Sequence, residues 1–461
     1  MYLAASLRSA GVPVELIDHQ LVPGDNLFAV EKLLQTIRSS RYRIVGLSLF
    51  GNSLPLVLSA VNIAFSSDAS IFYVLGGPGV NGVEGRILER FKSVFAVVRG
   101  EGELAMVYIA SSLSSEGEIN WPGVFTRRKT GGLVLPQRAV RIREVDSIAW
   151  PNWDCVDLRA YSRRAVLTAR GCPFDCSFCD VSAIWGRKVA ARSIEDVVNE
   201  IRYITVSDKR KRVELLDDTL TANRRRVIEL SRLMSASTMG VTWSCFARVD
   251  TVDQELLGEM CRGGCRSVFF GIDGGNYSTR RAVGKQISQE DVIAGVSNAL
   301  LEPKLRVTVS FIWGYPEETF EDFGATVECA YELSRLGESS RRLVTQLHLL
   351  APIPATPLFS KFRDQLAFDE DVGLGFLNGR ALRAYRGTDE YEECREMILS
   401  DRVLFAPFYH YLTPDFGEKQ HLVRSSRPGR RGQAIGSRKV AAQLRYVRRQ
   451  TQIALDCLGS A

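Results

Sequence analysis

The sequence predicts an α/β protein. It has an N-terminal Rossmann-like parallel sheet that lacks its first strand, then a partial barrel of six strand–helix units, then a helical C-terminal region. Three observations predict this. Short apolar runs alternate with helical periodicity near the N-terminus, the pattern of a parallel sheet covered on both faces. A second series of strand-then-helix units fills residues 161–362. Where the first strand of that series ends, Arg170-Gly-Cys-Pro-Phe-Asp-Cys-Ser-Phe-Cys-Asp180 sets Cys172, Cys176 and Cys179 in a C-x3-C-x2-C spacing.

Composition bounds the possibilities. A chain of 461 residues exceeds one ordinary domain, and an apolar fraction of 45% supports sizeable cores. No run of about 18 uncharged apolar residues is present, which argues against a transmembrane helix. Met1-Tyr-Leu-Ala-Ala-Ser-Leu-Arg-Ser-Ala-Gly11 lacks the basic start and long apolar core of a signal peptide. Ten cysteines, three of them in a metal spacing, indicate a reducing, cytoplasmic compartment rather than a disulfide framework. The 59 Lys/Arg exceed the 53 Asp/Glu by six, but nine of the basic residues lie between Arg424 and Arg449 with no acid among them. Without that stretch the body carries −3, so it offers no basic surface for nucleic acid. The stretch itself, containing Ser425-Ser-Arg-Pro-Gly-Arg-Arg-Gly432, reads as a solvated basic tail over 424–461.

Within residues 1–112, Tyr2 to Ala10 reads as a helix stopped by Gly11 and followed by a strand, Val14-Glu-Leu-Ile-Asp18. Helices near 30–38, 54–65 and 86–91 then alternate with strands at Ile44–Phe50, Ile71–Leu75 and Phe95–Val98. The chain opens directly on a helix, so a sheet of this kind is missing its central first strand; the expectation is an upstream start or weak ligand binding. Residues 113–160 read as a linker, with a Gly131-Gly132 turn, a strand-like Leu133-Val-Leu135 and Trp150-Pro-Asn-Trp153. The barrel strands fall at Ala165–Gly171, Arg212–Asp218, Thr242–Arg248, Ser267–Asp273, Arg306–Gly314 and Thr345–Pro354. Ser193 with Asp196 is expected to cap the helix Ser193–Tyr203. Residues 363–423 form the helical C-terminal region, with Phe408-Tyr-His-Tyr411 its most distinctive run, read as an aromatic core ahead of a cavity-closing role.

Three is the informative number in the cysteine loop. A structural zinc site or a fully protein-ligated iron–sulfur cluster takes four ligands, so three thiolates on a 4Fe–4S cube leave one iron open to a substrate or cofactor. Buried or zinc-binding cysteines are the alternative. Cys261 and Cys265 read as packing residues, since free cysteine behaves as a small buried hydrophobe.

This loop, with the aromatic Phe178 before its last cysteine, resembles the cluster loop of the radical S-adenosylmethionine (SAM) enzymes. Strand-end motifs extend the resemblance. It implies that SAM binds the open iron and is reductively cleaved to a 5′-deoxyadenosyl radical. Asp217 and Asp218 close the second strand; Asp217 is carried over as a SAM contact, with helix capping before Asn223 the other use for one of the pair. Arg248 in Phe246-Ala-Arg-Val-Asp250 matches A-R-x-D and implies a fork onto the SAM carboxylate, a rim salt bridge with Asp250 being the equal alternative. Asp273 stands for the Glu of G-I-E-S-G, and Gly274 for its Ser. Ile312 and Gly314, in Ser310-Phe-Ile-Trp-Gly-Tyr-Pro-Glu-Glu-Thr319, match the adenine-binding run, with Glu317 in place of a Gly. Pro352 to Pro357 resembles P-x-P-G-T-P with Ala355 for Gly.

Ser48, Gly76, Gly77 and the run Gly100-Glu101-Gly102, each after a strand of the first domain, resemble the cobalamin-binding domain of many radical SAM enzymes. The D-x-H-x-x-G motif that supplies a cobalt-ligating histidine elsewhere is absent, and His19 reads as a surface turn residue. Together these features resemble the cobalamin-binding-domain-containing radical SAM enzyme family, of the class B methyltransferase kind. The resemblance implies three cofactors: a 4Fe–4S cluster, SAM and cobalamin. It implies radical methylation, with oxidation, cyclisation or rearrangement without methyl transfer as the alternative. A non-catalytic cobalamin or redox sensor is the reading from another class. Its partners would be a small-molecule or peptide substrate and an electron donor such as flavodoxin or ferredoxin. The sequence singles out no catalytic side chain and leaves the substrate open among peptide, lipid, tetrapyrrole and antibiotic precursor.

Overall fold

Residues 1–21, 30–114, 118–128, 131–136, 138–206, 211–237, 239–373, 386–425 and 437–459 are described by a computed structural model. The chain divides into two units, each assembled from segments distant in sequence. The first joins Met1–Ala160, Phe178–Gly186 and Ala351–His410; the second joins Tyr161–Ser177, Arg187–Leu350 and Tyr411–Ala461.

In the first unit, apolar runs ending in glycine or serine form three parallel strands: β1 (Ile44–Ser48), β2 (Phe72–Gly76) and β3 (Val94–Val98). Tyr73, Val74 and Leu75 of β2 and Ala96 and Val97 of β3 are buried, as expected for a sheet covered on both faces. Two antiparallel strands, β4 (Val124–Arg127) and β5 (Leu133–Val134), extend the sheet in the order β1–β2–β3–β4–β5. The stretch expected as a linker therefore contributes two strands to the sheet. The expected strand Val14–Asp18 is not one: the chain there forms no ladder. Among the described strands β1 pairs only with β2, and this run does not take up its other edge.

The helix Leu54–Ser67 buries residues around most of its circumference, from Leu54 to Ala64. A helix apolar all round must be covered on more than its sheet face. Here the helices Val30–Arg38 and Asp389–Ser400 lie against it. Asp401, just past the second of these, pairs with Arg86 at 3.0 Å and Arg90 at 3.2 Å. Phe405 and Phe408 are buried, and the Tyr409 hydroxyl donates to the Ile398 carbonyl at 3.0 Å. The aromatic-core reading of Phe408–Tyr411 accounts for Phe408 and Tyr409. Residues 374–385 of the expected helical region lie outside the described residues.

The second unit contains six parallel strands whose spatial order follows the sequence: β6 (Arg164–Val166), β7 (Arg212–Leu215), β8 (Thr242–Ala247), β9 (Cys265–Gly271), β10 (Arg306–Trp313) and β11 (Leu343–Leu349). Trp243, Cys245, Val268, Phe270, Val307, Val309 and Phe311 alternate along their strands as buried residues. Of the two cysteines read as packing, Cys265 is fully buried and Cys261 half-buried. Capping boxes at Ser288 with Asp291 and Thr319 with Asp322 start two of the helices. The expected cap at Ser193 is not formed. Arg192 instead holds the Asp196 carboxylate at 2.9 and 2.6 Å, and also pairs with buried Glu200.

The tail expectation is overturned for its last part. Ser437–Gly459 is a helix, and Val440 and Leu444 pack with Trp313, Phe323, Val327 and Leu422. Its Thr451 hydroxyl accepts from the Thr345 N–H at 3.2 Å and donates to the Thr345 carbonyl at 2.9 Å, which satisfies part of the free edge of β11. A stripe at Val440, Leu444 and Val447 carries the packing, and the run of basic charge hides it from a compositional reading. Residues 426–436, with most of the Arg/Pro/Gly run, lie outside the described residues. Among the described residues no helix is long and apolar enough to cross a membrane.

Candidate functional site

The loop carrying Cys172 and Cys176 is clamped from the strand beside it. Asp217, two residues past the end of β7, accepts from the backbone N–H of Thr168 at 2.7 Å and of Ala169 at 3.1 Å, and from the Thr168 hydroxyl at 2.5 Å. Asp218 accepts from the Gly171 N–H at 3.1 Å, and the Thr219 hydroxyl lies 3.4 Å from Cys172 Sγ. Burial raises the Asp217 carboxyl from its ordinary range, while the hydrogen bonds from Thr168 and Ala169 act the other way. This revises the role carried over for Asp217. Both its oxygens are taken up by the chain entering the cysteine loop, so it positions that loop and presents no carboxylate to a ligand.

A second element closes on the loop from the far side. The Ser177 N–H donates to the Val283 carbonyl at 2.9 Å. Gly284, at φ +80°, approaches so closely that a Cβ there would stand 2.4 Å from the Asp175 carbonyl oxygen. Within the loop, Phe174 stacks under the Arg248 guanidinium at 3.7 Å, and Asp175 pairs with Arg187.

Cys172, Cys176 and Cys179 form no disulfide and are half-buried. Burial pushes the Cys176 thiol up, Lys285 and Arg248 draw it down, and Asp273 and Cys172 push it up again. A thiolate so enclosed needs a cationic partner, which an iron centre supplies. Among the described residues no group of three or more His, Cys, Asp or Glu is gathered tightly enough to hold one metal ion. A four-iron cube makes a different demand, because each thiolate meets its own iron. Three thiols outside any disulfide, on a loop pinned at Thr168–Cys172 and at Asp175–Ser177, fit that group. Phe178 and Cys179 open the segment Phe178–Gly186 that groups with the first unit.

The strand ends place further candidates. Arg248 forms a bidentate pair with Asp250, at 3.0 and 2.8 Å, so the rim salt bridge weighed from the sequence is present. Asp273 adopts φ +67°, a left-handed conformation rare outside glycine and a form of stored strain. It is held there by Lys285 Nζ at 2.5 Å on its carboxylate and by the Tyr315 hydroxyl, which donates to its carbonyl at 2.9 Å. Ile312 is half-buried and sits in register with His348. Gly314, at φ +86°, donates its N–H to Glu318 Oε2 at 2.8 Å. Sequence reasoning missed Phe174, Gly284, Lys285, Tyr315 and Glu318. The dipeptide Gly284-Lys285 after a short helix carried a turn signal, but nothing local tied that turn to a loop more than a hundred residues away.

In the first unit the parallel ladder brings Ser48, Gly76, Gly77, Gly100 and Gly102 to one edge of the sheet, at the C-terminal ends of β1, β2 and β3. Two of the loops there lie backbone on backbone. Leu49 N–H donates to the Gly76 carbonyl at 3.0 Å, and Gly79 N–H to the Leu49 carbonyl at 2.9 Å. A Cβ at Gly77 would lie 2.8 Å from Leu49 N, and one at Gly79 only 2.3 Å from Phe50 C. That close approach leaves Phe50 67% exposed beside a backbone platform. Glu101 does not face this edge as a free carboxylate. It is buried, with Arg141 2.8 Å from Oε2 and the Ile142 N–H donating to the same oxygen at 2.6 Å. Gly79→Ala is expected to force the loops apart and lower stability by about 1–3 kcal/mol. Thermal melting measures it, and an unchanged melting temperature would mean the loops separate without strain.

Two family models match the chain: the B12 binding domain over residues 1–110 and the Radical SAM superfamily over residues 166–330. An uncharacterized methyltransferase of Pyrococcus horikoshii is 30% identical over 295 residues, 63% of this chain and 64% of the relative. An anaerobic magnesium-protoporphyrin IX monomethyl ester cyclase of Cereibacter sphaeroides is 26% identical over 385 residues, 79% of this chain and 60% of the relative. The chain thus spans less than two thirds of the length of these curated relatives. Among solved structures, the radical S-adenosylmethionine methyltransferase TsrM from Kitasatospora setae, with cobalamin and a 4Fe-4S cluster bound, superposes with a TM-score of 0.69. The match covers 100% of this chain and 96% of that one at 16% identity, a likeness of fold alone.

Proposed function

Joining a B12 binding domain to a radical SAM domain, the chain belongs to the cobalamin-binding-domain-containing radical SAM enzymes, and we propose that it catalyses cobalamin-dependent radical methylation. One arrangement carries this reading. Three cysteines in C-x3-C-x2-C spacing, none in a disulfide, sit on a clamped loop after the first barrel strand, in a chain whose other domain matches a B12 binding domain. When bound, the cluster supplies the electron that cleaves SAM, and cobalamin supplies a methyl carrier.

The chain's own residues hold and orient. Asp217, Asp218 and Thr219 fix the approach to Cys172. Arg248 and Asp273 present opposite charges beside the cysteine loop for the two ends of an amino-acid group, and Ile312 and Gly314 offer an apolar edge and a bent backbone for adenine. Ser48 and the glycines at 76, 77, 100 and 102 would hold cobalamin, because their bare backbone lets a large macrocycle approach. The partners of this reading are a small-molecule or peptide substrate and a low-potential electron donor of the flavodoxin or ferredoxin kind, in a reducing, cytoplasmic setting.

Two SAM molecules should be consumed per methylation, one yielding S-adenosylhomocysteine and the other 5′-deoxyadenosine. With SAM labelled in its methyl group and tetrapyrrole, peptide and lipid candidates offered in turn, label is expected in product only when cobalamin is present. The similarity to a magnesium-protoporphyrin ester cyclase over 79% of the chain favours a second reading, radical oxidation or cyclisation. An altered product without label would select it. Methylation accompanied by S-adenosylhomocysteine alone would instead indicate polar transfer.

A further inference from the structure

The turn that follows the helix Tyr277–Ala282 serves two masters. Its backbone braces the cysteine loop, through the Ser177 N–H to Val283 carbonyl bond at 2.9 Å and the approach of Gly284 to the Asp175 carbonyl. Its side chains brace the end of β9. Lys285 Nζ donates to the Gly271 carbonyl at 2.6 Å and to Asp273 Oδ2 at 2.5 Å, and Arg280, fully buried, donates to the Gly274 carbonyl at 2.8 Å and the Ile287 carbonyl at 2.8 Å. Gly284 alone would be an ordinary helix stop, since a left-handed residue commonly ends a helix. That explanation leaves out the contact with Asp175 and the placing of an ammonium group behind the loop.

A buried ammonium group needs a reason, because Lys is almost never fully buried unless paired. The Lys285 side chain is 5% exposed and its partner Asp273 12%. Lys285 follows directly on Gly284, which packs against the Asp175 carbonyl next to Cys176, so its ammonium and its partner Asp273 are fixed on the turn that braces the cysteine loop. The potential of an iron–sulfur cluster is set by net charge, hydrogen bonding and solvent exposure around it.

We propose that the turn Val283–Lys285 is the second wall of the cluster site and that Lys285 is a positioning residue whose charge sets how readily the cluster is reduced. This rests on the reading of Cys172, Cys176 and Cys179 as cluster ligands. Reduction adds one negative charge to the cluster, so a fixed positive charge nearby favours it and an unpaired carboxylate opposes it. Loss of Lys285 does both kinds of harm, removing the cation and leaving Asp273 uncompensated. Loss of the pair together restores neutrality.

Four proteins, reconstituted anaerobically and titrated with dithionite while the reduced cluster is followed by electron paramagnetic resonance, test the proposal: wild type, Lys285→Met, Lys285→Arg and the double variant Lys285→Met/Asp273→Asn. Lys285→Met is expected to be roughly tenfold harder to reduce, a shift of about 59 mV to more negative potential for one electron. Lys285→Arg should stay near wild type, and the double variant should return towards it. A Lys285→Met protein with a full cluster at the wild-type potential overturns the proposal and leaves the cluster reading intact. Absence of any cluster from wild type would instead overturn the cluster reading itself. If Lys285→Met takes up no cluster but the double variant does, charge is again the cause and the proposal stands. If both lose it, Lys285 is a structural residue and the proposal falls.

Discussion

Replacing Cys172, Cys176 and Cys179 together by alanine is expected to leave a folded protein that holds no iron–sulfur cluster and releases no 5′-deoxyadenosine from SAM. The three side chains are half-buried and none is among the buried core side chains of the described residues, so their truncation removes little packing. The loop's shape does not depend on them either. Asp217 and Asp218 hold its entry through backbone N–H groups, and Val283 holds Ser177 through backbone alone. Chemistry, in contrast, depends on them completely, because thiolates are the ligands that an iron–sulfur cluster requires. The comparison is iron content, the visible absorption of the cluster and 5′-deoxyadenosine release, each read beside a thermal melt. Wild-type iron and SAM cleavage in the triple variant would remove the assignment; loss of the cooperative melt would show that the thiols are core residues after all.

Much of this was legible because it is local. Three cysteines within eight residues announce a cluster loop whatever surrounds them. The six strand–helix units of the second unit show themselves through apolar runs of the right length; four strands match their expected ranges closely, while the first ends at Val166 rather than Gly171 and the last at Leu349 rather than Pro354. Glycines at 76, 77 and 100 could be placed at strand ends because a bare backbone there has a geometric use.

What stayed hidden depends on contacts between distant segments. Asp217 looked like a ligand-facing acid at a strand end, and only the position of Thr168 and Ala169 beside it reveals a clamp. Glu101 likewise sat in a promising Gly-Glu-Gly run, yet its partners Arg141 and Ile142 lie some forty residues on. Val14–Asp18 has good strand composition, but a strand needs a neighbour to pair with, and no composition supplies one. The joining of Ala351–His410 to the first unit is the same lesson at larger scale. The run Leu54–Ala64, apolar on nearly every face, was its one visible trace.

Lys419→Met is expected to destabilise the protein by about 3–5 kcal/mol above neutral pH, the cost of breaking a buried ion pair from one side. Both Lys419 and Glu318 have fully buried side chains. Lys419 Nζ donates to the Glu318 carbonyl at 2.6 Å and to the Thr413 hydroxyl at 3.0 Å, and lies 3.5 Å from Glu318 Oε2. Burial raises the Glu318 carboxyl to about 7 and lowers the Lys419 ammonium from its usual value, so desolvation outweighs the mutual attraction at both partners. The sign of the pH dependence follows. A carboxyl whose folded value lies above its unfolded one favours the fold while protonated, and that advantage is lost as pH rises through the folded value. Removing Lys419 takes away an attraction that lowers Glu318, so the folded value climbs above about 7 and the loss relative to wild type is small near pH 5 and greatest near pH 8. The double variant Glu318→Gln/Lys419→Met, with no uncompensated charge, should recover most of it. The consequence reaches the candidate site, because Glu318 Oε2 accepts the Gly314 N–H at 2.8 Å and so holds the bend assigned to adenine. SAM binding by Lys419→Met should therefore weaken in step with its stability, from pH 5 to pH 8. A single variant as stable as wild type at both pH values would show that Lys419, on the helix Phe416–Ser425, is not what secures that bend.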